Sequence, residues 1–502
     1  MIYDLFIEPL QYQFMQRALI ASVLVGIING ALGCFIILRR MAFIGDALSH
    51  AVLPGVVIAF MLAGKGNVAL FLGAVFAGVV TALLIGFVNR NSRIKEDSAI
   101  GVIFIGMFAL GILLISRLRA VHLDLQHFLF GDPLGVSPPD LYLTGIIGII
   151  ILLSITLFYK QLQLSSFDPI MATAIGMNTA LVHYFLMGIL SMTIVASLQA
   201  VGIILVVAML ITPGATAYLL TDRLPRMIVL ASLIGAFAAI TGLYISYWMN
   251  YSSGAAMVIV VTLLFLLTLV FAPKQGILIK SLQRKRAQER YIRDDIVKAV
   301  YHLTKDKEVT NQSRVAEYLG LSVTVLQKMI QSIKRKKLVE SADNNTIHLT
   351  ADGEKHALKL IRSHRLWETY LAEQTGLGWE HVDEEAERLE HELPDDLVDE
   401  IDRRLGYPQH DPHGAPIPQK DGTIRETDDY PLASLGVGES GVITRVSDQL
   451  PEVLATLWKA GLVPNVQLTV TDRDNGTMHI QVAENTYTLD ETATIRVMVR
   501  KV

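Results

Sequence analysis

The first 272 residues are a succession of apolar stretches close to the length that hydrocarbon demands of a helix. No other feature restricts the fold as much. A helix needs about 20 predominantly apolar residues to cross a bilayer. The stretches lie near Ala18–Leu38, Ala51–Ala63, Val68–Val88, Ala99–Ser116, Leu141–Tyr159, Leu181–Ile194, Val201–Leu220, Met227–Trp248 and Gly254–Ala272. The second and sixth are short and read as broken or re-entrant segments, which are tolerated where they line a cavity. Eight or nine transmembrane helices are therefore expected, counting or not counting those two. The first stretch is long and no small-residue cleavage site with a soluble sequel follows it, so it reads as a transmembrane helix and not a removed signal.

Charge is distributed accordingly. Residues 1–272 hold 12 Lys/Arg and 10 Asp/Glu, and the remainder hold 31 and 37. The expected fold is a polytopic all-α membrane domain followed by a soluble, mildly acidic half. Cys34 is the single cysteine, which excludes an intrachain disulfide framework and a cysteine-based metal site. Basic loops face the cytoplasm in membrane proteins. Arg90, Arg93 and Lys95, then Arg223 and Arg226, then Lys274, Lys280, Arg284, Lys285 and Arg286 form three such clusters. An alternating count from the last stretch puts all three on the cytoplasmic side, with Arg117 and Arg119 opposite. The soluble half is then expected in the cytoplasm, beneath a plasma (inner) membrane.

Gly45-Asp46-Ala47-Leu48-Ser49-His50-Ala51 places a carboxylate and an imidazole four residues apart with apolar sequence on both sides. On a helix, Asp46 and His50 share a face one turn apart. Ionisable groups in a membrane are costly and are functional by default. A carboxylate with a neutral imidazole suits a divalent manganese, zinc or iron ion. A helix cap is the equally weighted alternative. A second distinctive stretch runs from Gln199 to Met227. An apolar helix passes into small residues and then a polar turn, where Thr221-Asp222 can cap a short helix at the cytoplasmic surface. An ordinary loop reads as well. No Gly-x-x-x-x-Gly-Lys-Ser/Thr loop occurs, so no phosphate-binding loop of that type is expected on this chain, and the reading is a non-enzyme.

Gly276 to Arg290 reads as a basic linker, a contact for anionic lipid or a protease-accessible joint. Residues 291–355 show a helix, a helix-turn-helix and a hairpin. Gln312–Leu319 is one helix, Gly320 breaks it, and Ser322 caps the next, Val323–Lys336. Val325, Leu326, Met329, Ile330 and Ile333 form the apolar face of that helix. Lys328, Gln331, Lys334 and Arg335 lie on the other face and are the candidate DNA contacts. Leu338–Glu340 and Thr346–Leu349 flank the turn-rich Asp343-Asn344-Asn345 and read as a wing. The second helix of such a motif enters the major groove, although the domain is not strongly basic and a winged helix used only for protein contacts fits equally. Residues 356–425 follow with two charged helical faces. His364 and Glu368 share one, and Glu387, Glu390 and His391 share the other. Carboxylates and imidazoles without a thiol suit a hard-to-borderline cation, while charged faces are more commonly just solvated.

Five motifs in order resemble the permease subunits of manganese/zinc/iron ABC importers (the ABC-3 type). They are Asp46–Ala51, Glu96-Asp97-Ser98-Ala99-Ile100-Gly101, His127-Phe128-Leu129-Phe130-Gly131, Phe167-Asp168-Pro169 and Gln199–Met227. The resemblance covers about residues 10–275, and 1–275 is taken as the permease domain. It implies that Asp46 and His50 lie on the metal path. It also implies a coupling helix around Ala217–Arg226, comprising Ala217, Tyr218, Leu219, Leu220, Thr221, Asp222 and Arg223, that docks on the ATPase. The expected partners are a separate ABC ATPase subunit, an extracytoplasmic metal-binding protein and a second permease, the same chain or a sister. The expected substrate is Mn2+, with Zn2+ and Fe2+ as alternatives.

His364–Glu368, Glu384–His391 and the run from Leu405-Gly406-Tyr407-Pro408 to Asp411-Pro412-His413-Gly414-Ala415-Pro416-Ile417-Pro418 resemble the diphtheria-toxin-repressor family of metal-dependent regulators. The match covers about residues 290–502. Beyond the basic linker (276–290), it implies a winged helix-turn-helix (291–355), a helical metal-binding and dimerisation domain (356–425) and a small SH3-like β-barrel of the FeoA kind (430–502). The regulatory metal ligands it implies are Asp295, His364, Glu387, Glu390 and His391. Glu387 stands where iron-type members carry cysteine and manganese-type members glutamate, which favours Mn2+. Two residues depart from the family pattern. Lys298 replaces an acidic ligand of the manganese-type members, and Asp383 stands where iron-type members have histidine. Three roles fit such a fusion: a sensor that restrains transport, a DNA-binding repressor tethered to the membrane or released by cleavage, and a dimerisation module.

Overall fold

The computed structural model describes residues 7–64, 66–117, 133–305, 310–340, 345–375, 379–391, 394–425, 428–446, 457–458, 460–474 and 476–502. Two compact units divide the chain, Met1–Gln283 and Arg284–Val502.

Helices alone build the described part of the first unit. They are α1 (Gln13–Leu38), α2 (Ile44–Ala51), α3 (Leu53–Ala63), α4 (Asn67–Asn91), α5 (Glu96–Ser116), α6 (Pro138–Leu157), α7 (Tyr159–Phe167), α8 (Pro169–Ala174), α9 (Thr179–Val201), α10 (Ile203–Leu220), α11 (Leu224–Met249) and α12 (Ser253–Phe271). Among the described residues, nine helical segments are long and apolar enough to cross a membrane. Both stretches expected to be broken or re-entrant reach spanning length; Thr179–Val201 is one helix, while Ile44–Ala63 is divided at Val52 into α2 and α3. Polar residues disguise them. Asp46, Ser49 and His50 interrupt the apolar run of the first, and His183, Ser191, Thr193 and Ser197 that of the second. Val52, between α2 and α3, keeps right-handed helical angles (φ −75°, ψ −15°). Pro54 then falls in the first turn of α3, where a missing N–H costs nothing.

Small residues allow the central helices to touch backbone to backbone, as membrane packing favours. A Cβ added at Gly26 would stand 2.7 Å from the carbonyl carbon of Gly235 on α11. One at Gly30 would stand 2.6 Å from the Ala231 carbonyl oxygen, and one at Gly33 would overlap the carbonyl of Leu210 on α10. Buried Gly202 alone separates α9 from α10 and has a φ of 85°, a conformation that essentially only glycine adopts without strain.

The second unit opens within α13 (Ile277–Lys305). The stretch expected as a basic linker, 276–290, is helical from Ile277 and forms the first half of a 29-residue helix. Ile277–Lys305 contains no Gly or Pro and is rich in Lys, Arg, Gln, Leu and Ala, all good helix formers. Then come α14 (Gln312–Tyr318), α15 (Val323–Arg335), β1 (Val339–Glu340) and β2 (His348–Leu349). Gly320 turns the chain at a φ of 61°, and the Ser322 hydroxyl accepts the Val325 N–H to cap α15. β1 and β2 pair antiparallel. These are the elements a winged helix-turn-helix requires; Asp343 and Asn344 of the wing tip lie outside the described residues. Leu326, Ile330 and Ile333 of α15 are buried, with Ile296, Val300 and Ile347 in the same core. Val325 does not join that face and is 40% exposed.

Three further helices, α16 (Ala351–Thr375), α17 (Trp379–Leu389) and α18 (Asp395–Arg404), precede β3 (Tyr430–Pro431), β4 (Ser440–Val446), β5 (Gln467–Asp474), β6 (Thr477–Val482), β7 (Asn485–Asp490), α19 (Glu491–Arg496) and β8 (Val497–Lys501). The six strands form one antiparallel sheet in the order β3-β8-β4-β5-β6-β7. Leu432, Ile443, Leu468, Ile480 and Val499 fill its core.

Candidate metal centres

The helical geometry of α2 brings Asp46 and His50 onto one face. His50 Nε2 lies 3.6 Å from Asp46 Oδ1, and the side chains are 20% and 53% exposed respectively. Gly45 turns the opposite way, against the Leu210 side chain, where a Cβ would meet Cδ2 at 2.7 Å. The Ser49 hydroxyl donates to the Gly45 carbonyl at 2.7 Å and leaves that face. The His50 ring packs against Phe104 and Phe108 of α5, with centroids 5.7 and 5.3 Å away. The cap alternative is not realised, because the N-cap position is Phe43 and carries no side-chain cap bond. The pair offers one oxygen and one nitrogen to a divalent ion.

The segment expected as a separate coupling helix takes another form. Ala217, Tyr218, Leu219 and Leu220 are the last turn of α10. Thr221 is extended (φ −150°, ψ 143°), and Asp222 and Arg223 complete a tight turn into α11. Pro213-Gly214 is absorbed inside α10, and no stop signal occurs before Thr221. Asp222 meets Lys274 at 3.0 Å. The His127–Gly131 motif lies outside the described residues.

In the second unit, α13 and the end of α17 bring carboxylates and imidazoles together. His391 Nε2 lies 3.1 Å from Asp295 Oδ1 and 3.4 Å from Glu390 Oε1. One ligand atom from each of Asp295, Glu390 and His391 falls within 4.8 Å of the others. Tyr291 stacks on the His391 ring at 4.8 Å, and Arg290 donates to the His391 carbonyl. Burial acts to lower the basicity of His391, but the Asp294 and Asp295 carboxylates raise its pKa to about 9. Burial likewise opposes ionisation of Asp294, yet His356 and His391 hold it well below the usual carboxylate range.

His364 belongs to an adjoining cluster. Its Nδ1 lies 2.7 Å from Glu390 Oε2, its Nε2 3.1 Å from Asp383 Oδ1 and 3.6 Å from Glu368 Oε1. Burial would lower its pKa, but Glu368, Asp383 and Glu390 raise it well above the ordinary value. Glu390 is held low despite burial, chiefly by His364 and Lys298. Glu387, expected as a ligand, does not join; it is 56% exposed and lies 3.9 Å from Lys298. α17 ends at Leu389, so Glu390 and His391 lie in the turn beyond it and Glu387 does not keep the helical spacing to them.

A further triad was not assigned from sequence. Glu368, Asp411 and His413 are buried, and one ligand atom from each lies within 4.8 Å of the others. His413 Nδ1 is 3.3 Å from Glu368 Oε1, and Arg365 Nε is 3.4 Å from Asp411 Oδ2. Burial and then the Glu368 charge raise the Asp411 pKa to about 7. Burial opposes ionisation of Glu368, and the His364 charge overcomes it and holds the group low. Neither Glu368 oxygen receives a hydrogen bond of normal geometry, an uncommon state for a buried carboxylate. The usable signal was Asp411-x-His413 in the tight turn at Gly414, together with His364-x-x-x-Glu368. These oxygen and nitrogen donors, with the orphaned Glu368 oxygens, fit a divalent manganese-like cation.

Candidate DNA contacts Lys328, Gln331, Lys334 and Arg335 are all exposed along α15.

Residues 11–272 match the ABC 3 transport family. Residues 350–419 match the metal binding and dimerisation domain of iron dependent repressors, and residues 430–501 match the FeoA domain. The manganese transport system membrane protein MntC of Halalkalibacterium halodurans is 56% identical over 284 residues, covering 57% of this chain and 96% of that protein. The manganese import system permease protein ScaB of Streptococcus gordonii is 46% identical over 271 residues, covering 54% and 96%. Among solved structures, PsaBC from Streptococcus pneumoniae in complex with Fab matches with a TM-score of 0.50 at 45% identity, covering 55% of this chain and 98% of that one.

Proposed function

Because the chain belongs to the ABC 3 transport family, we propose that it is the permease of an ATP-driven Mn2+ importer whose second unit senses the same ion. One observation carries the reading: a carboxylate and an imidazole 3.6 Å apart on one face of a helix within a candidate membrane span. Asp46 and His50 take up the substrate ion as the path opens first to one side and then to the other. Hydrolysis of ATP takes place on a separate subunit, which docks at the segment from Ala217 to Arg223, the end of α10 and the turn after it. An extracytoplasmic protein delivers the ion, a second permease completes the pathway, and the second unit lies in the cytoplasm. Zn2+ and Fe2+ are the competing substrates, since the same donors accept them.

In the second unit, Asp295, Glu390 and His391 would hold a regulatory Mn2+, which would tie α13 to the segment after α17. His364, itself held by Asp383, supports Glu390 from the far side. The unit restrains uptake when internal metal is high. Manganese uptake by the assembled transporter tests the permease reading. Asp46→Ala and His50→Ala should each abolish uptake while the complex still assembles; normal uptake by either would remove the pair from the pathway.

The exposed row Lys328, Gln331, Lys334 and Arg335 favours a second reading, in which the second unit binds DNA when metal is bound. Electrophoretic mobility shift of residues 284–502 with the promoter of its own operon should then require Mn2+. Absence of a metal-dependent shift would dismiss it.

A further inference from the structure

Asp295 and Lys298 are three residues apart on α13 and therefore share its face. Lys298 Nζ reaches 2.8 Å from Glu390 Oε1 and 3.9 Å from Glu387 Oε1, with its side chain only 16% exposed. That Glu390 oxygen is also the one 3.4 Å from His391 Nε2. The atom best placed to bind a metal is thus already bound by an ammonium.

We infer that Lys298 is a built-in competitor cation, which occupies the carboxylate pocket of the regulatory site and sets the metal concentration at which that site fills. The inference rests on the regulatory-site reading above. Buried carboxylates require a compensating charge. Here the chain supplies it in the metal-free state, through Lys298 on one Glu390 oxygen and His364 on the other. A divalent cation entering between Asp295, Glu390 and His391 meets that ammonium at close range. It must displace Nζ from Oε1 or share the oxygen against like-charge repulsion, which is strong in a poorly solvated pocket. Lysine suits the role, because its single point charge sits on a flexible four-carbon stem that can swing away. An inward-facing sensor needs such a high threshold, since a site that filled at trace metal would shut the importer permanently.

The full chain in lipid nanodiscs, carrying Asp46→Ala and His50→Ala so that the transport pair does not contribute, provides the test. Mn2+ binding is read from the electron paramagnetic resonance of the free ion, and stability from thermal melting with and without Mn2+. Lys298→Gln keeps a donor for Glu390 and removes the charge; it should tighten binding by about tenfold or more, as expected for removing a close unit charge. Lys298→Met should do the same, with a lower metal-free melting temperature and a larger rise on adding Mn2+. Lys298→Arg should bind as weakly as the parent. Equal or weaker binding by Lys298→Gln, with its metal-free melting intact, would overturn the inference. His391→Ala separates the two readings. If it binds Mn2+ as well as the parent, the metal site itself is wrong. If it loses binding while Lys298→Gln gains nothing, only the role of Lys298 falls.

Discussion

Asp46 and His50 were legible because a helix converts a four-residue spacing into a shared face without reference to the rest of the fold. The structure adds what surrounds them: Phe104 and Phe108 against the imidazole, and Leu210 behind Gly45. Loss of the Asp46 carboxylate leaves that packing in place, and loss of the His50 ring removes only its contact with Phe104 and Phe108, so uptake should fall with little change in assembly. Asp295, Glu390 and His391 were assigned from the resemblance and converge in the structure. Glu387 was assigned the same way and stays outside, because neighbours on one charged helical face need not point at one centre. Asp411 and His413 went unassigned. Their approach to Glu368 spans more than forty residues of chain, and no local spacing encodes such a meeting. Lys298 was visible only as a departure from a pattern, and its 2.8 Å contact with Glu390 turns that departure into a physical competitor.

Among the elements, helix existence was more legible than helix extent. The spans at Ile44–Ala63 and Thr179–Val201 were read as short, since hydropathy counts polar side chains against a helix even where they face protein and not lipid. The charged stretch read as a linker at 276–290 is helical from Ile277 and forms the start of α13, as its helix formers favour. Between α10 and α11 a turn replaces a helix, because Pro213 is accommodated within α10 and the chain first breaks at Thr221. Close packing of α1 on α10 yields a prediction of its own. Gly33→Val would drive two methyl groups into the Leu210 carbonyl, where even a Cβ does not fit. Overpacking of this kind typically costs about 1–3 kcal/mol or more. The variant should show reduced folded yield and a lowered melting temperature in detergent, whereas Gly101→Ala on α5, where added atoms meet open space, should behave as the parent. Equal melting temperatures for the two would mean that the α1–α10 contact is looser than described.

For the molecule as a whole, the joining of a permease to the proposed sensor makes one prediction that neither part makes alone. A chain truncated after Lys280 should still transport Mn2+ but should lose the shut-off at high internal metal, as followed by uptake in metal-loaded cells or vesicles. Unchanged shut-off would assign the second unit to DNA binding or dimerisation instead. The division into an apolar half and a charged half, the helix-turn-helix and the Asp46/His50 spacing were legible in the sequence alone, since each depends on periodicity or composition within a short window, whereas the order of the later elements followed from a family resemblance. Tertiary structure decided which carboxylates and imidazoles meet, that Lys298 occupies Glu390, that Glu368 finds Asp411 and His413, and how closely α1 approaches α10 and α11. Those outcomes depend on side chains far apart in sequence, whose positions are set by the packing of whole helices.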